Sequence, residues 1–180
     1  MNRYNIDLFA IPSNAVRVLT RPSDFFRHMP RAGGFIEPLV FMVSMGVLSG
    51  LLRAVINILE FRLLAGIGKA VATFLFVPIT IGLFGFLLAS ALFILWMILG
   101  SQQSYQTSYR CVAYMSALTP VITVLSIVPF LGGIAGFALM IVFIVVVSVE
   151  VHDIPAQRAM LFFGILGLIL VLGLGLRLRL

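Results

Sequence analysis

The sequence predicts an all-α integral membrane protein: a bundle of five transmembrane helices preceded by a short amphipathic N-terminal arm. Three observations predict it. The run Val71 to Leu99, VATFLFVPITIGLFGFLLASALFILWMIL, contains no charged side chain, and none occurs between Lys69 and Arg110; at ~1.5 Å per residue it outreaches the ~30 Å hydrocarbon core of a bilayer. The chain is 62% hydrophobic and 10% charged, far from the balance of a soluble domain. Its remaining charges, Arg53 apart, fall in polar segments that flank further apolar runs of spanning length. The 180 residues suffice for one such bundle, divided into an interfacial arm at 1–34 and a membrane part at 35–180.

A net charge of +6 would suggest a nucleic-acid partner in a soluble protein. With so few charges, the question is instead which side of the membrane each arginine occupies, and no nucleic acid is expected. Cys111 is the single cysteine, which excludes an intrachain disulfide and a thiolate metal cluster. It is either a buried thiol or, near a membrane boundary, an acylation site.

The N-terminal stretch to Gly34 lacks the short apolar centre and cleavage site of a signal peptide, so it is expected to be retained. Arg3, Arg17, Arg21, Arg27 and Arg31 face only Asp7 and Asp24, with Val16, Leu19, Phe25, Phe26 and Met29 among them. Pro22-Ser23-Asp24 is a helix start with Ser23 as cap, and Pro30 then Gly33-Gly34 stop it. The pattern predicts one or two short helices at headgroup level, aromatics inward and arginines toward anionic lipid. The alternative is a docking surface for a soluble partner.

The first span, 38–59, has to include Arg53, because stopping at Leu52 leaves 15 residues, ~23 Å. At helical spacing Gly46, Ser49, Gly50, Arg53, Asn57 and Glu60 share a face. A charge near the bilayer centre costs ~3 kcal/mol. Either this stripe faces protein or a water-filled cavity, with Glu60 or a neighbouring helix as partner to Arg53, or Arg53 snorkels to the nearer interface. The second span, 71–99, carries Pro78, where a bend is expected. The polar segment GSQQSYQTSYR, with Gln106 and Arg110, leads into a third span, 111–128. There Ser116, Thr119, Thr123 and Ser126 share a face, either bonding their own preceding carbonyls or joining helices, and Pro120 should kink the helix. Val128 to Gly133 is a tight turn into the fourth span, 132–149, whose Gly132 and Gly136 permit close helix contact.

Beyond it, Glu150, His152 and Asp153 do not read as metal ligands, because i and i+2 on a helix point apart. Arg158 follows them, and a glycine-rich fifth span covers 159–176. With the N-terminus in the cytoplasm, seven positive residues lie inside (Arg3, Arg17, Arg21, Arg27, Arg31, Arg110, Arg158) against four outside (Arg62, Lys69, Arg177, Arg179), so the C-terminus falls on the opposite side. This orientation gathers the arm, the GSQQSYQTSYR loop and the VEVHDIPAQR loop on one side. Arg21, Arg27, Arg31, Gln106, Arg110, His152, Asp153 and Arg158 form the candidate cytoplasmic surface.

Three segments carry a resemblance: the arm RVLTRPSDFFRHMPRAGGFIEPLVF, then GSQQSYQTSYRCVAYMSALTPVI entering the third span, then VEVHDIPAQRAM between the fourth and fifth. In this order the chain resembles the Yip family of Ypt/Rab-interacting multi-pass membrane proteins, in the short form found in bacteria, from Val16 to about Leu176. The resemblance implies a five-span bundle with a cytoplasmic N-terminus in the inner membrane, and association with itself or other membrane proteins. The chain lacks the long hydrophilic N-terminal region and Asp-Leu-Tyr-Gly-Pro motif of eukaryotic relatives, so no small-GTPase partner is expected.

The leading expectation is a non-catalytic scaffold or adaptor that associates with lipids and other membrane proteins. The alternative is a transporter or channel for a small solute, ion or lipid, its path lined by Ser49, Arg53, Asn57 and Glu60 of the first span and Ser116, Thr119 and Thr123 of the third. An enzyme is not expected, nor a cofactor: one Cys, two His and no Gly-x-Ser-x-Gly or His-Glu-x-x-His leave no nucleophile, base and orienter to name.

Overall fold

The computed structural model describes residues 8–60 and 63–177, and side chains other than those of 60, 63–65 and 172–177. Arg3, Asp7, Arg62 and Arg179, and the side chains of Glu60 and Arg177, lie outside what is described. Among the described residues there are eight helices and no strand: α1 (Ala10–Thr20), α2 (Pro22–His28), α3 (Ile36–Glu60), α4 (Leu63–Ile98), α5 (Tyr105–Met115), α6 (Leu118–Leu125), α7 (Leu131–Glu150) and α8 (Ala156–Arg177). Three are long and apolar enough to cross a membrane, over Ile36–Leu59, Gly66–Ile98 and Leu131–Glu150. They coincide with the expected first, second and fourth spans.

The expected third span is not one helix. It begins earlier, at Tyr105, and is divided into α5 and α6 by a turn at Ser116-Ala117. Pro120 is the cause, since it has no N–H for the Ser116 carbonyl and its ring crowds that oxygen. The freed carbonyl is taken by Thr119, whose N–H donates at 2.9 Å and whose Oγ1 donates at 2.8 Å. Pro78, by contrast, lies inside an uninterrupted α4. The expected fifth span falls within α8, apolar over Ala156–Val171.

The arm folds as two helices. Pro22 opens α2, so Ser23 sits inside the first turn and not at the cap; Arg21 is the cap residue and makes no side-chain capping bond. Asp24 in the first turn and Arg27 and His28 in the last complement the helix dipole. The aromatic face turns inward, as expected, but onto protein: Val18, Phe25, Phe26 and Met29 are buried in a core with Phe41, Met42, Trp96, Tyr114, Val147 and Phe163. Phe25 meets Tyr114 edge-on at 5.1 Å. The core is thus concentrated at the arm end of the bundle. The first half of α4 exposes Val71, Phe74, Leu75, Phe76 and Ile79, an apolar surface suited to hydrocarbon.

Small residues set the helix spacing. A Cβ on Gly46 would stand 2.9 Å from the Pro78 Cα, so α3 and α4 touch backbone to backbone. Gly132 opens α7 directly against the Leu125 carbonyl of α6, and Gly136 packs on Ile122, which gives the expected glycine pair its role. The α6–α7 turn is as tight as its sequence predicts: Phe130 takes φ 64° and ψ −60°, and the Leu131 N–H bonds the Pro129 carbonyl at 2.7 Å, a γ-turn. Gly46→Ala and Gly132→Ala are each expected to destabilise by ~1–3 kcal/mol through overpacking. Gly133, with nothing within 4 Å of an added Cβ, should accept Ala neutrally or gain up to ~1 kcal/mol of helix propensity. Thermal unfolding of the purified variants in detergent checks the contrast.

Candidate functional site

The polar groups converge at the arm end, where α2, the α4–α5 link, α5 and the α7–α8 link meet. Its centre is Arg110, fully buried in α5. Nη2 donates to Glu37 Oε2 at 3.0 Å, and Nη1 to the Gly34 carbonyl at 3.2 Å. Tyr114 donates its hydroxyl to Glu37 Oε1 at 3.0 Å, and the guanidinium lies 5.9 Å from the Tyr114 ring centroid. Glu37 occupies the first turn of α3, where the helix dipole favours a carboxylate. The second residue bound to this layer is Thr107, whose hydroxyl donates to the Arg31 carbonyl at 3.1 Å. Ser104 caps α5 by accepting the Thr107 N–H.

A second junction ties the arm to α7. Arg27 grips Glu150 with two bonds, Nε to Oε2 at 2.9 Å and Nη2 to Oε1 at 3.2 Å, and the pairing raises the arginine pKa. Glu150 ends α7, the dipole's unfavourable end for an acid, so the arginine offsets a local cost. Arg31 faces Asp153 at 3.9 Å and Arg17 faces Asp24 at 3.7 Å, both exposed pairs and worth little. Of the arm's arginines, Arg17, Arg27 and Arg31 therefore meet carboxylates of their own chain, and Arg21 is exposed.

His152 forms the third junction. Its ring stacks on Trp96 with centroids 3.9 Å apart, and Nδ1 lies 2.7 Å from Ser101 Oγ. Trp96 in turn donates Nε1–H to Ser148 Oγ at 2.8 Å. Burial, with the positive charge of Arg31 second, lowers the His152 pKa to about 3, so the ring is neutral near pH 7.

Of the candidate surface residues, Arg21, Arg27, Arg31, Asp153 and Arg158 are exposed and Gln106 is half-buried, but Arg110 and His152 lie beneath the surface. A charge and an imidazole are ordinarily solvated; here a carboxylate, a carbonyl, a hydroxyl and an indole take up part of the water's role, while Arg110 Nε and His152 Nε2 are buried with no hydrogen-bond partner among the described residues. Glu37, Trp96, Ser101 and Ser148 were not singled out from sequence. The available signal was Glu37 itself, an acid at the mouth of an apolar span that requires a counter-charge.

The polar stripes of α3 and α6 touch at two points. Ser49 Oγ lies 2.9 Å from Thr119 Oγ1, and Arg53 Nη1 donates to Ser126 Oγ at 3.4 Å. Asn57 turns instead to α4, donating to Thr73 Oγ1 at 3.0 Å. Ser116, Thr119, Thr123 and Ser126 also bond carbonyls three or four residues back, as hydroxyls in apolar helices do. Among the described residues no group of three His, Cys, Asp or Glu is placed to hold a metal. Glu150, His152 and Asp153 are engaged by Arg27, by Trp96 with Ser101, and by Arg31.

Fold and composition define an all-helical, multi-pass membrane protein. The family model described as the Yip1 domain matches residues 16–177, and the chain belongs to that family. No curated protein and no solved structure matches it.

Two measurements test this geometry. Glu37→Leu leaves a buried guanidinium without its carboxylate, a loss of ~3–5 kcal/mol for a fully buried pair. Because Glu37 is 48% exposed, about 2 kcal/mol is expected. Arg110→Met, which leaves an acid that water reaches, should cost less in chemical denaturation. For His152, the folded pKa of about 3 lies below the ordinary histidine value of 6.5, so in that window the unfolded chain binds the proton and the folded chain does not. Stability is then lost as pH falls from 6.5 toward 3, by ~1.4 kcal/mol per unit. Thermal melts at pH 7 and pH 5 should show a larger loss for the parent than for His152→Gln.

Proposed function

We propose that this Yip1-family protein is a non-catalytic membrane adaptor: a five-span bundle of the cytoplasmic membrane whose arm-end face, cytoplasmic and bearing Arg21, Arg27, Arg31, Asp153 and Arg158, receives other membrane proteins or a second copy. In this reading α5 and α6 together make the third crossing, a break being tolerable in a membrane where the freed carbonyl finds a new donor. The 22-residue α8, ~33 Å long, makes the fifth. The observation that carries the proposal is the docked arm, which joins three segments far apart in sequence into one charged face through the Arg27–Glu150 and Arg110–Glu37 pairs. Beside it the turn before α1 exposes Leu8 and Phe9, and α1 exposes Val16, an apolar edge that suits a membrane surface or a partner helix. A transport path is not favoured, because the hydroxyls of the two stripes close on each other and on their own backbone.

Topology and partner are tested together in a Cys111→Ser background. Asn14→Cys should be labelled by an impermeant maleimide only from the cytoplasm and Leu180→Cys only from the opposite side; labelling of both from one side removes the five-span reading. A photo-cross-linker at position 158 should give discrete protein adducts that one at position 67 does not. Lipid adducts alone, from both positions, would sink the adaptor.

A further inference from the structure

The opposite end of the α3–α4 hairpin holds a cation that the described residues barely satisfy. Arg53 lies in an apolar spanning helix, is half-buried, and its one hydrogen bond among them is the 3.4 Å contact with Ser126 Oγ. No described carboxylate pairs with it. A long bond to a neutral hydroxyl, already donating to Thr123 O at 2.7 Å, uses little of the guanidinium's donor capacity.

Around Arg53 the two helices leave a cleft of about 350 Å³ lined by Arg53, Asn57, Lys69, Ala72 and Thr73, within the ~300–1,000 Å³ of small-ligand sites. Its walls are prearranged. Asn57 and Arg53 are one turn apart on α3, Lys69 and Thr73 one turn apart on α4, and the relay Asn57 Nδ2 to Thr73 Oγ1 to the Lys69 carbonyl, at 3.0 and 2.7 Å, ties the helices together. A Cβ on Gly50 would stand 3.4 Å from the Phe74 Cα, which keeps the two backbones close beneath the cleft. Arg53 stands ~24 Å along α3 from Glu37, near the far edge of a ~30 Å hydrocarbon layer. A guanidinium there reaches the ester and phosphate level by extending its stem. On the same stretches Val55, Leu59, Val71 and Phe76 are exposed, an apolar surface for acyl chains.

We infer that this cleft binds the headgroup phosphate of an anionic phospholipid, with the Arg53 guanidinium and Lys69 ammonium donating to the phosphate oxygens and the acyl chains lying along α3 and α4. Two cations at one depth select for anionic charge, and arginine's fork matches two oxygens of one phosphate. Position in the membrane selects a lipid over a free anion. The site lies at the other end of the bundle from the adaptor face and stands or falls separately from it.

Native mass spectrometry of the purified full chain, released from micelles doped with phosphatidylglycerol or phosphatidylcholine, tests the assignment. Phosphatidylglycerol should be retained and should raise the melting temperature, and phosphatidylcholine should do neither. Arg53→Gln and Lys69→Gln should each weaken retention about tenfold, a factor read from the titration midpoint. Arg53→Lys should keep most of it. Size-exclusion profiles identify variants that remain folded, and Lys69→Gln carries the test should Arg53→Gln aggregate. Equal retention by the parent and Arg53→Gln or Lys69→Gln overturns the proposal. So does equal retention of the two lipids, or displacement of phosphatidylglycerol by millimolar inorganic phosphate, which would mark a free-anion site.

Discussion

A guanidinium with no access to water has to be neutralised by its own protein, and the arm end of this bundle is arranged around that requirement. Arg110 is fully buried, and its partners come from the arm and from the first turn of α3: the Gly34 carbonyl and the Glu37 carboxylate. Satisfying it sets where α5 lies against α3 and draws the chain at Gly33-Gly34 over the ion pair. With α5 held there, Tyr114 reaches both Glu37 and Phe25, so the polar lock and the arm's apolar face are closed by the same residue. Arg27 on Glu150 then holds the arm to α7.

Helix breaks and close approaches determine the rest. Pro120 divides α5 from α6 because a proline withholds one donor, and Thr119 answers with two. Pro78 does not divide α4; its Cα is instead the surface that Gly46 of α3 rests on. The same residue type thus ends one helix and forms a contact in another. The difference lies in context: near Pro120 a hydroxyl can take over the freed carbonyl, and at Pro78 a neighbouring helix without a side chain accommodates the local shape.

The two ends of the bundle are unlike in their electrostatics, which organises the functional reading. At the arm end Arg27, Arg31 and Arg110 face carboxylates of the chain, and His152 is held neutral between Trp96 and Ser101. The charge pattern at that end is held by pairs within the chain, and the adaptor role proposed above draws on it. At the far end the described partner of Arg53 is the Ser126 hydroxyl. Among the described residues no carboxylate meets this cation, and the anionic headgroup proposed above supplies that charge.

Membership in the membrane class, the three long apolar helices and the breaking proline were legible in the sequence, because each depends on local properties: apolar run length, side-chain period and a missing backbone donor. The buried roles of Arg110 and His152 were not, and neither were Glu37, Trp96, Ser101 and Ser148. Their partners are 73 residues away for Arg110 and Glu37, 52 for Trp96 and Ser148, and 123 for Arg27 and Glu150. Local pattern records that a residue is polar; it does not record which distant group will desolvate it. The sequence by itself determined how much of the chain must leave water, and only the tertiary structure decided which charges would leave with it, since a buried charge is tolerated solely where the fold brings it a counter-charge.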